Sequence, residues 1–115
     1  VLENGRMTIM FCAYVGKPMI LRLYGMAKVY HHYDAEWDDV HAHFNPIPGA
    51  RQVFVLDVDL VQTSCGMGVP LYDFQSQRGL MEKWAENKGE EGLRAYWEEK
   101  NILSIDGKPT NVLKE

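Results

Sequence analysis

Gln62, Thr63, Ser64 and Cys65 stand in a row and are followed by Gly66-Met67-Gly68. A thiol attacks as its thiolate, which needs a base or a cation beside it. No histidine neighbours Cys65 in the sequence, so Cys65 reads as a structural thiol. Strand alternation places Gln62 and Ser64 on one side and Thr63 and Cys65 on the other. Gln62 and Ser64 continue the row Phe54, Leu56, Val58 and Leu60. Polar groups then end a dry strand face, as the mouth of a ligand-binding barrel requires. The bland alternative is a strand that frays into a turn.

Other chemistry-bearing residues weigh less. Asp57 and Asp59 share a strand face about 7 Å apart; an outward, solvated face is expected. His31 and His32 are adjacent and face opposite ways on a strand. His41 and His43 diverge on a helix, so neither spacing makes a metal site by itself. His41 is expected to cover the core beside Trp37 and Phe44. Gly66-Met67-Gly68 lacks the third glycine and the following helix of a dinucleotide fingerprint. Arg22, Lys28, Arg51 and Arg78 could each neutralise a phosphate, arginine with a planar fork. Trp84, Tyr96 and Trp97 fall at helical core spacing and read as packing.

The elements that must position these residues begin with strands. Residues 7–15 alternate with both faces mostly apolar, the pattern of a strand covered on both sides. Residues 19–32 form a long antiparallel partner. Its one face is dry and its other carries Arg22, Tyr24, Lys28 and Tyr30. Gly25 in mid-strand signals a bulge, a bend or a close approach. A helix is expected over 35–44 with Asp34 as its N-cap, then a third strand over 51–64. Helices follow over 78–88, ending at Gly89, and over 91–100. Three strands cannot close a barrel, and the first needs a further neighbour or leaves an open edge. "VPLYDF" and "NILSI" are the remaining strand candidates.

The 115 residues suit a single domain, 1–115. A composition 46% hydrophobic and 24% charged is that of a globular chain. A net charge of -4 gives no basic field for nucleic acid or an anionic membrane. No apolar run reaches the ~18 residues of a membrane helix, and no secretory signal pattern is present. Two cysteines, Cys12 and Cys65, fit no zinc spacing and point to a reducing, cytoplasmic setting. A start at Val1 that enters a strand within a few residues reads as a fragment or a processed product.

"NGRMTIMFCAY", "ILRLYGMAKV", "PGARQVFVLDVDLVQTSCGMGVP" and "WAENKGEEGLRAYWEEKNILSIDGKPT" occur here in fixed order. Together they resemble the pyridoxamine 5'-phosphate oxidase-related family, and more narrowly a branch with a "VQTSCG-x-GVP" segment. The likeness runs over about residues 2–110. It implies an α+β fold, an antiparallel FMN-binding split β-barrel with C-terminal helices, incomplete at its N-terminus. It further implies a homodimer with FMN at the subunit interface, and a flavin-dependent oxidoreductase in which the cofactor carries the hydride chemistry. An isoalloxazine ring wants an apolar bed and a few amide contacts, so the implied cofactor residues are Gln62, Thr63, Ser64, Gly66 and Arg22. The family segment that precedes "NGRMTIMF" and supplies strands and much of the phosphate shell is expected to be missing. The rival expectation is a non-catalytic flavin or haem carrier, or a truncated barrel without cofactor.

Overall fold

A computed structural model describes residues 1–114. Strand β1 (Arg6–Cys12) pairs antiparallel with β2 (Met19–His31), which sets Arg6 opposite Met26, Thr8 opposite Tyr24 and Met10 opposite Arg22. Helix α1 (Trp37–His41) follows, then strand β3 (Gln52–Cys65) and helix α2 (Leu80–Lys100). The three strands form one sheet in the order β1-β2-β3. β1 stops at Cys12, short of the expected Val15. Ala13 then donates from its N–H to the Met19 carbonyl at 3.0 Å across the turn. "VPLYDF" forms no strand; its Tyr72 N–H reaches the Tyr14 carbonyl at 3.1 Å, and the two rings meet edge-on at 5.2 Å. "NILSI" contributes one isolated bridge, Leu103 to Pro109. Both outer strands therefore present an open edge among the described residues.

The expected Asp34 cap is corrected. α1 has five residues, starts after Glu36 and has no side-chain cap. The Asp34 carboxylate instead accepts the His31 N–H at 2.7 Å. That bond closes the turn leaving β2 and uses the group that would have capped the helix. Phe44 lies beyond the helix and is exposed. α2 contains both expected C-terminal helices in one span, broken at Gly89 (φ 64, ψ 178). That backbone region is open essentially to glycine alone.

The chain packs as two compact units. Val1–Lys28 and Val55–Gln77 make the first; Val29–Phe54 and Arg78 onward make the second. Buried hydrophobic side chains lie in the second unit: Val29, Val53, Ala85, Leu93 and Val112. His31 is buried with them at 4% exposure. Its ring nitrogen Nε2 sits 3.2 Å from Gln52 Nε2 and 3.3 Å from the Thr110 carbonyl, so the buried imidazole has polar neighbours. His32 is exposed and its ring lies 5.4 Å from that of Trp97. His41 stacks on Trp37 at 4.8 Å, with its Nε2 buried and without a hydrogen-bond partner.

The first unit is built differently. Along β1, Met7 and Ile9 are half-buried while Arg6, Thr8 and Met10 are exposed. Only one face of this strand is covered within the chain, so the expected cover on both sides is absent from the described residues. Phe11, Val15, Leu60, Val61, Leu71 and Phe74 are also each more than half exposed. Gly25 answers the question its position raised: a Cβ there would stand 1.9 Å from the Asp57 carbonyl oxygen. The irregularity is a close approach of β3 backbone to β2.

Candidate functional site

Cross-strand partners share a sheet face. The β1–β2 register therefore sets Thr8 beside Tyr24 and Met10 beside Arg22 on the open face of the first unit. Hydrogen bonds extend both rows onto β3. Tyr24 donates its phenol hydrogen to Gln62 Oε1 at 3.1 Å, and Arg22 Nη1 donates to Ser64 Oγ at 3.0 Å. As the β2 number rises by two the β3 number falls by two, the order expected of antiparallel neighbours. The result is a polar band across three strands: Thr8, Tyr24 and Gln62 in one row, Met10, Arg22 and Ser64 in the next.

Of the five residues expected to hold a cofactor, this geometry brings Arg22, Gln62 and Ser64 together. Thr63 lies between the two bonded residues and alternates to the other side. Gly66 is buried and committed to the chain itself, because a Cβ there would lie 2.6 Å from the Met19 backbone nitrogen. Its lack of a side chain serves the approach of β2 rather than an open cradle. Cys65 is exposed and Cys12 half-buried; both thiols are free.

The sequence reading missed part of this face. A cavity of about 230 Å³ lies beside the band, bordered by Arg6, Thr8, Tyr24, Met26 and Asp59 among others. Tyr24 and Thr8 looked like ordinary strand residues. Only register reveals them: Thr8 opposes Tyr24, and Tyr24 bonds Gln62. Asp59, expected on a solvated face, is exposed and also borders the cavity.

Chemically the band offers one guanidinium group, two hydroxyls, a phenol and an amide, beside exposed Met10 and Leu60, and the neighbouring cavity adds the Arg6 guanidinium and the Asp59 carboxylate. That set suits an anion with a flat, partly polar ring better than a nucleophilic reaction, because neither a histidine nor a thiol belongs to it. Arginine matches phosphate with a fork of donors, while Gln62 offers amide donors after its oxygen has accepted from Tyr24. Among the described residues no group of three or more histidine, cysteine, aspartate or glutamate side chains could hold a metal ion. No helix among them is long and apolar enough to cross a membrane.

Comparison with known proteins adds one relationship. A protein of Aspergillus flavus, the pyridoxamine 5'-phosphate oxidase family protein ustO, is 36% identical over 129 aligned positions. The alignment takes in 93% of this chain and 49% of that protein, so the chain spans about half the length of the curated relative it matches. No family model matches the chain, and no solved structure matches it.

Proposed function

By homology the chain belongs to the pyridoxamine 5'-phosphate oxidase family, and on that premise we propose that it is part of an FMN-binding split barrel, closed as a homodimer, that serves a flavin-dependent oxidoreductase. The observation that carries this reading is the band Arg22–Ser64 and Tyr24–Gln62 on an open sheet face. FMN presents a phosphate dianion, a hydroxylated chain and a flat ring with amide-like edges. Arg22 supplies the charge for the phosphate. Gln62, Ser64 and Thr8 supply donors and acceptors for the polar edges, and exposed apolar residues such as Met10 supply a bed.

The residues fit the group, and the small cavity beside them supports a site shared between copies. At about 230 Å³ it falls below the roughly 300–1,000 Å³ of small-molecule sites. On this reading one copy provides part of a site, and a second copy covers exposed apolar side chains of the first unit and completes it. When bound, the flavin itself supplies hydride chemistry. The chain's residues bind it, orient it and keep water from its ring. Neither a histidine nor a carboxylate is among them, which fits a cofactor that carries the reaction.

The test begins with the colour of the purified chain and proceeds to titration with FMN, read by quenching of flavin fluorescence. Saturable binding is expected, with Gln62→Ala and Arg22→Ala each weakening it about tenfold, the loss of roughly one good polar contact. A colourless protein that also ignores added FMN would sink the proposal. Turnover of a reduced nicotinamide by the loaded protein separates an oxidoreductase from a carrier that only binds.

A further inference from the structure

The second unit holds a larger cleft that has no part in the band described above. It measures about 460 Å³, within the range typical of small-molecule sites. Its floor is Ala85 and Leu93, both buried, and Met81 and Ile47 at its border are mostly exposed. Trp84, Tyr96 and Trp97 line it, and the first two meet edge-on at 5.0 Å. These three aromatics read as core from their spacing. In the folded chain Trp84 and Trp97 are half-buried and pack on neighbouring rings, but all three aromatics also line open volume, and Tyr96 stays 37% exposed.

Arg51 also lines this cleft. Its Nη1 donates to Asn101 Oδ1, and Asn101 is fixed in turn by its N–H on the Trp97 carbonyl at 2.9 Å. The guanidinium is thus held in place by a neutral amide. Among the described residues it has no carboxylate partner. A half-buried arginine positioned without a counter-charge, beside an aromatic cleft, is suited to a planar anion. Lys88, 5.8 Å above the Trp84 ring, adds a second cation nearby. One lining group opposes an anion: Glu82, exposed on the first turn of α2.

We propose that this cleft is a binding site for a small aromatic carboxylate, its ring among Trp84, Tyr96 and Trp97 and its carboxylate on Arg51. The site is independent of flavin binding and stands or falls separately from it.

The probe is 1-naphthoate, titrated into the full chain and followed by tryptophan fluorescence and by the indole N–H signals of Trp84 and Trp97 in NMR. Saturable binding is expected, with those two indole signals shifting. The uncharged analogue 1-naphthalenemethanol should bind at least about tenfold more weakly, the loss of one charge-assisted contact. Arg51→Met should remove the preference for the carboxylate. Should that variant fail to fold, Arg51→Lys, which keeps the charge and loses the fork, should weaken naphthoate with little effect on the alcohol. Glu82→Gln, which removes the opposing charge, should tighten naphthoate alone. Equal affinity for acid and alcohol in the unaltered chain, or indole signals unmoved at saturation, would overturn the proposal.

Discussion

Tyr33 shows how single contacts set behaviour that can be measured. Its phenol donates to the Asn111 carbonyl, and its ring stacks on His31 at 5.2 Å. Loss of solvent, and next the charge of Asp34, push the phenol above its ordinary pKa. Below the unfolded value of about 10, the phenol is protonated in both states and its contribution is fully present. As pH rises past that value the unfolded chain ionises first, and stability falls until the folded phenol also ionises. Tyr33→Phe is therefore expected to flatten the alkaline loss of stability, measured by urea unfolding near neutral pH and above pH ~10; equal slopes for both proteins would refute it. Little of this was legible in the sequence. Tyr33 and Asn111 lie far apart along the chain, and Asp34 looked like a helix cap because an aspartate before a helix usually is one. The competing backbone amide of His31 becomes visible only when the turn is built.

Elements were more legible than contacts, because periodicity survives without knowledge of neighbours. The long strand after Pro18 and the strand through Phe54–Leu60 follow directly from alternation, and Gly89 marks the break in α2. Register was not legible, and register is what builds the polar band: it depends on which β3 residue meets Tyr24, a matter of tertiary pairing. Two glycines test this scale. Gly25→Ala places a methyl against the Asp57 carbonyl oxygen, and either β2 or β3 must move. A loss of about 3 kcal/mol is expected in urea unfolding, together with weakened FMN binding, because the same strands position Arg22 and Gln62. Gly89→Ala meets no atom within 4 Å, yet its φ of 64 is unfavourable for any side chain. It should cost about 1–3 kcal/mol through backbone strain alone and leave FMN binding unchanged. If both variants lost stability and FMN affinity in parallel, the separate causes assigned to them would be wrong.

At the scale of the whole molecule the two units differ in what they leave uncovered. The buried hydrophobic side chains of the described residues lie in the second, although Leu80, Met81 and Ile105 are exposed there too; the first exposes Phe11, Leu60, Val61, Leu71 and Phe74. Large exposed apolar side chains suit an interaction surface, and a lasting interface needs roughly 1,200–2,000 Å² in total. If a second copy supplies that cover and completes the FMN cleft, cofactor binding and self-association are one equilibrium. FMN affinity measured at fixed cofactor should then fall as the protein is diluted, and added FMN should move the sedimentation boundary toward the dimer. Leu60→Asp puts a charge into the surface to be buried, so it should leave a folded monomer with little FMN affinity. Leu60→Met keeps the apolar surface and should behave like the unaltered chain. A monomer at all concentrations whose FMN affinity does not depend on dilution would show that one copy forms the whole site. The exposed apolar surface would then need a different partner, and the half of the relative's length that this chain does not span is where a covering segment would be sought.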